Sequence, residues 1–158
     1  MEAIVDTGAT KTVVANESEF TTLTKRDYNY KLQGIAAGLE IKGEGTVEYD
    51  VLNANNEKAF TLKLRAYWTP NLPDSRLIPP QNLRTPNGLR GGVDTPGNEN
   101  EDGSIDRTVT ATMYTFAPEQ QRKRIDTVDL RYDENNNLPI VRLRLPKPNR
   151  QKAKALNA

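Results

Sequence analysis

The residues that could do chemistry begin at the fourth position. Ile4 and Val5 run into Asp6, then Thr7, Gly8 and Ala9 follow, and Thr12, Val13 and Val14 form a second β-branched run. A string of this kind carries a carboxylate from the end of a strand into a tight, buried loop. A carboxyl group held there can move protons as a general base or acid. Gly8 lets a second stretch of backbone come close, and Thr7 adds a hydroxyl that can both donate and accept.

What the sequence omits narrows the chemistry. Its 158 residues contain no His and no Cys. Ser-His-Asp and Cys-His nucleophiles are excluded, as are Cys/His zinc sites and dithiol redox motifs. The three serines, Ser18, Ser75 and Ser104, lie outside any G-x-S-x-G setting. No Gly-rich phosphate loop is present. Carboxylates, a lysine or an oxygen-ligated metal remain. Residues 98–106, NENEDGSID, space Asn98, Asn100, Asp102, Gly103 and Asp106 like the start of a calcium loop, but Val109 stands where the closing Glu belongs. The segment therefore reads as a solvated acidic loop, and neither a metal nor another cofactor is expected.

The elements that must position Asp6 read as short strands. Residues 2–5 and 11–14 flank the Asp loop. Residues 28–35 and 39–52 surround a small-residue turn, Ala36-Ala37-Gly38, and predict a long hairpin. Residues 60–67 alternate Phe60, Leu62, Leu64 and Ala66 against Thr61, Lys63, Arg65 and Tyr67, the period of a half-buried strand. Residues 70–80 are Pro-rich and cannot be helix interior, and residues 81–84 allow one helical turn at most. Residues 85–106 hold much Gly, Pro and Asn and read as a long variable loop. Strands resume over 107–116, 127–132 and 138–145, with a turn at 133–137. The expectation is one all-β domain over residues 1–146 and a basic linker or tail over 147–158, with helix under about 15%.

Charge and hydropathy set the remaining bounds. Twenty-two basic and 21 acidic residues leave a net charge of +1, so no global pull toward nucleic acid or membrane is expected. Arg122-Lys123-Arg124 and the tail bases Lys147, Arg150, Lys152 and Lys154 have no interleaved aromatics and read as solvated. No apolar run approaches the ~18 residues of a membrane span, and no signal-peptide pattern opens the sequence. An intracellular setting, cytoplasmic or particle-associated, is the expectation.

Four stretches in this order carry a resemblance. IVDTGATKTVV (4–14), GIAAGLEIKGEGTVEYDV (34–51), AYWTPNLPDSRLIPPQNL (66–83) and ENNNLPIV (134–141) are similar to the retropepsin-like aspartic protease segment of copia-type retrotransposon (Gag-Pol) polyproteins. The resemblance implies an acid-protease barrel with a flap hairpin and one Asp-Thr-Gly loop per chain. It implies Asp6, Thr7 and Gly8 as catalytic residues, and Ala9, Gly34, Ile35, Ala36, Ala37 and Gly38 against an extended peptide substrate. Retropepsins carry an interface strand upstream of the Asp, whereas five residues precede Asp6 here, so a piece of a longer polyprotein is expected. The pattern of two apolar residues and a Gly that marks retropepsins beyond the flap is not found.

One Asp loop per chain has a consequence. Asp94-Thr95-Pro96-Gly97 is the nearest second candidate, but Pro96 breaks the geometry and no apolar strand leads into it. The second carboxylate is then expected from a second copy of the chain across a two-fold axis. The implied function is a homodimeric aspartic endopeptidase that cleaves its own polyprotein. Two alternatives stay open: an inactive or truncated β-barrel remnant used for binding or assembly, and an assembly domain whose basic tail contacts RNA.

Overall fold

A computed structural model of the chain describes residues 1–28, 38–72 and 76–147. Ten strands follow in order: β1 (Glu2–Val5), β2 (Thr12–Val14), β3 (Phe20–Lys25), β4 (Gly43–Leu52), β5 (Lys58–Trp68), β6 (Arg76–Ile78), β7 (Arg90–Asp94), β8 (Ala111–Phe116), β9 (Arg124–Tyr132) and β10 (Pro139–Arg144). Helix among the described residues is limited to two single 3-10 turns, Glu17–Glu19 and Pro80–Asn82. The all-β expectation is met.

Six strands close a barrel in the order β4-β5-β2-β6-β1-β10, and β10 returns to β4 through Arg142, Leu143 and Arg144 opposite Leu52, Val51 and Asp50. One edge of β4 faces β5 along its whole length. Its other edge is divided, Gly43 to Val47 pairing with β3 and Asp50 to Leu52 with β10. Strands β9, β8 and β7 extend from β10 as an antiparallel sheet. Closure removes the edges that an open sheet would leave unpaired.

The alternation read in residues 60–67 holds. Phe60, Leu62, Leu64 and Ala66 point into the core, with Val47, Tyr49 and Val51 of β4 across from them. Ala111 and Met113 of β8 and Val128, Leu130 and Tyr132 of β9 join the same core. Strand β1 is buried on both faces: Ala3 and Val5 enter this core, while Ile4 packs with Val13, Leu72 and Leu77 on the outer side. That explains the unbroken apolar run before Asp6.

Four sequence expectations change. The strand expected over 107–116 begins only at Ala111, and residues 107 and 108 form a turn at Asp106. Residues 29–37, which include most of the predicted 28–35 strand and the turn at Ala36 and Ala37, lie outside the described residues. Gly43 to Val47 of β4 pair instead with β3, a segment whose only apolar residues, Phe20 and Leu23, are too sparse to alternate. Within residues 85–106, expected to be loop, Arg90–Asp94 forms β7. Its Gly91 and Gly92 hide the strand pattern, and both are required by close approach: an added Cβ would overlap Leu83 at Gly91 and the Tyr114 ring at Gly92. The Pro-rich stretch 70–80 contains β6, three residues long.

A buried charge cluster holds β6 in place. Arg76 Nε and Nη2 donate to Glu19 Oε1 and Oε2, both at 2.6 Å, Arg76 Nη1 donates to the Glu2 carbonyl at 3.1 Å, and the Tyr49 hydroxyl donates to Glu19 Oε1 at 2.7 Å. Burial, reinforced by the Glu19 carboxylate, pushes the Tyr49 hydroxyl far above its ordinary pKa, so it remains a donor. The bond to Glu19 likewise raises Arg76. The cluster ties β1, β4, β6 and the first 3-10 turn together.

Glu19→Ala strands the Arg76 guanidinium, whose side chain is only 12% exposed, and the expected loss is about 3–5 kcal/mol in urea unfolding. Glu17→Ala removes a surface pair to Lys25 with half-exposed partners and is expected to cost less than about 1 kcal/mol. Equal losses would contradict this assignment. Ending the chain after residue 132 removes β10 and opens the barrel, so cooperative thermal unfolding should vanish; a retained sharp transition would show that β10 is dispensable.

Candidate active site

The Asp loop sits where three short strands meet. Strand β6 lies between β1, which it pairs in parallel (Ile4 with Leu77, Val5 with Ile78), and β2, which it pairs antiparallel (Val13 with Leu77, Val14 with Arg76). The loop joining β1 to β2 therefore arches over the end of β6. Asp6 N–H donates to the Ile78 carbonyl at 3.0 Å, which continues the β1–β6 ladder to the candidate carboxylate.

Within the loop, the Gly8 N–H donates to Asp6 Oδ1 at 2.8 Å and the Ala9 N–H to the Asp6 carbonyl at 3.2 Å. A Cβ at Gly8 would stand 3.3 Å from Asp6 Oδ1, so a larger residue would press on the carboxylate. The outer side of the loop is held by the 3-10 turn after β6. Gln81 Nε2 donates to the Ala9 carbonyl at 2.6 Å, and Asn82 Nδ2 to the Thr10 carbonyl at 2.7 Å. Both ends and the middle of the loop are thus fixed.

The loop expected to be buried is not: Asp6 is half-buried, and Thr7 and Gly8 are exposed at the loop tip. Oδ1 is oriented by the Gly8 amide. Among the described residues, Oδ2 accepts no hydrogen bond and the Thr7 hydroxyl has no partner within the chain. A carboxylate with one oxygen anchored and the other open can take a proton from water or share one with a second carboxylate.

The residues named from sequence divide into three groups. Asp6, Thr7, Gly8 and Ala9 come together in this loop. Gly34, Ile35, Ala36 and Ala37 lie outside the described residues. Gly38 is exposed with φ +82°, a left-handed conformation suited to a turn. The second acidic candidate does not form a comparable loop: Asp94 ends β7 opposite Thr112 and pairs with Arg124 at the surface.

The calcium-like spacing at 98–106 is used for turns. Asp102 and Asp106 accept from the Ser104 and Thr108 hydroxyls and amides, which hold both carboxyls below their ordinary range. Asn98 is buried and exchanges amide bonds of 2.8 and 2.9 Å with Asn137. Gln81 and Asn82 are the site residues that sequence reasoning missed; the polar pair after Pro79-Pro80 was their only signal.

No curated protein and no solved structure matches this chain at a significant level. The family model described as retroviral aspartyl protease does match, over residues 1–75, just under half of the sequence. The matched segment contains β1, β2 and the whole Asp6-Thr7-Gly8-Ala9 loop between them.

Proposed function

We propose that the chain is an aspartic endopeptidase that works as a homodimer and cleaves peptide bonds of a retroelement polyprotein. The observation that carries this reading is the Asp6 loop: a half-buried carboxylate with one oxygen fixed and one open, at an exposed tip, inside the segment matched by the retroviral aspartyl protease family. Its place of action would be inside the cell that makes the polyprotein.

The chemistry follows from two like charges. Two Asp6 carboxyls brought within hydrogen-bond range by a two-fold axis cannot both ionise easily, so they hold one proton between them. The ionised partner takes a proton from a water molecule, whose oxygen attacks the scissile carbonyl carbon. The protonated partner donates to the carbonyl oxygen as it becomes an oxyanion. Collapse of the tetrahedral intermediate breaks the C–N bond as the amine leaves with a proton from the dyad. The Thr7 hydroxyl, which has no partner among the described residues, would bond across the axis. Ala9 and the small-residue segment ending at Gly38 would border the extended peptide.

The barrel closes within one chain, and that observation favours the alternative, a non-catalytic binding module. One experiment separates the two. Purified chain is mixed with denatured casein over pH 4–8 and a range of concentrations. Cleavage is expected to peak on the acid side of neutrality, because one carboxyl must be protonated and one ionised. It should rise with the square of concentration when dimers are scarce. Asp6→Asn should abolish it with the strand spectrum intact, since the amide keeps the shape but cannot exchange the proton, while Asp94→Asn should leave it unchanged. Undiminished cleavage by Asp6→Asn would remove the mechanism, and no cleavage by the parent chain at any concentration would leave the binding module.

A further inference from the structure

Beside the Asp loop, on the barrel's outer surface, lies a groove of about 640 Å³ between strand β5 and the segment 81–90. Lys11, Lys63, Arg65, Arg84 and Arg90 line it, and no Asp or Glu does. Arg65 is paired with Glu44, which lies outside the groove. Among the described residues, the other four cations form no ion pair. Elsewhere among the described residues Lys25, Lys42, Arg76, Arg124, Arg131 and Arg144 each face a carboxylate, while others such as Lys58, Lys123 and Arg142 do not, so the groove is set apart by gathering four such cations with no acid in its lining. The net charge of +1 therefore conceals a segregated positive patch. Grouping four unpaired cations around one cleft costs repulsion that a bound polyanion relieves.

We propose that this groove binds the phosphate backbone of a single-stranded nucleic acid. The charged lining consists wholly of donors, and a phosphodiester backbone presents acceptors. An acidic peptide fits less well, because each of its residues also brings an N–H that needs an acceptor. An extended peptide usually finds those acceptors on a free strand edge. At the groove β4 covers one edge of β5, and on the other edge the Lys63 N–H is already spent on the Arg84 carbonyl at 2.9 Å, with β2 taking over from Ala66 onward. Arg84 and Arg90 supply planar forks that suit phosphate oxygens, and Thr12, Thr46 and Thr85 in the lining bring hydroxyls that can serve as uncharged donors. A cleft this small admits one strand and not a duplex. Gln81 and Asn82, which hold the Asp6 loop, also line it, so the bound strand would lie directly against the support of the candidate active site.

The test uses the full chain and a fluorescent 20-mer of uridylate, titrated from low to moderate salt, with an oligoglutamate of equal charge in parallel. Four phosphate contacts give a slope of log affinity on log salt of about −2.8, and Arg84→Gln with Arg90→Gln should lower its magnitude by about 1.4. Lys63→Gln, on an outward position of β5, should lower it by about 0.7. A tail variant, Arg150→Gln with Lys152→Gln and Lys154→Gln, should bind like the parent. The inference is overturned if the groove variants keep the parent slope, if the tail variant loses the binding, or if oligoglutamate binds as tightly as the oligonucleotide.

Discussion

Strand β6 inserted between β1 and β2 is the constraint on which the rest of the molecule depends. Those two strands are neighbours in sequence, joined only by the loop that carries Asp6, yet they do not pair with each other through that loop. A strand from more than sixty residues downstream separates them. The loop must then span the width of a strand, and it can do so only as a fixed arch over the β6 terminus. The Asp6 N–H bond to Ile78 and the Gln81 and Asn82 amide bonds make that arch rigid. Such rigidity is what the proposed acid–base role of Asp6 would require, because a partner carboxyl would have to approach within hydrogen-bond distance each time.

A three-residue strand is a weak element by itself, and β6 is held from several sides. Ile78 enters the main core and Leu77 the outer cluster, so both faces of the strand are buried. Arg76 reaches back to Glu19 and the Glu2 carbonyl. Strand β10 completes the frame from the far end of the chain, lying on β1 in antiparallel register and exchanging bonds with Met1 at Leu143. Residue 75 ends the family match, immediately before β6. The Asp6 loop therefore lies in the matched part, and the strands β6 and β10 that lock it lie in the part that follows. Closing contacts across some 140 residues makes folding slow relative to a helical domain of the same size.

What was legible in the sequence was local. Asp6, its flanking strands and the alternation in β5, β8 and β9 are patterns within a few consecutive residues, and they were readable. Strand β3 has Phe20 and Leu23 three apart and so shows no period of two. Strand β6 is shorter than any useful window and flanked by prolines. Strand β7 is written with two glycines because Leu83 and Tyr114 occupy the space of their side chains. Gln81 and Asn82 act on carbonyls 72 positions away, and the basic groove draws its cations from three separate segments. Such features exist only once the barrel is closed, and no composition or spacing rule reports them. The resemblance suggested the role proposed for Asp6 because the residues that carry the resemblance there are adjacent.

The central claim is that two Asp6 carboxyls from two chains make one active centre. Its most direct measurement is the binding stoichiometry of a peptide inhibitor carrying a hydroxyl-bearing tetrahedral carbon, titrated calorimetrically against the full chain at concentrations where it is dimeric by sedimentation. The account predicts one inhibitor per two chains, with that binding lost in Asp6→Asn. One inhibitor per chain, or binding unaffected by Asp6→Asn, would contradict it.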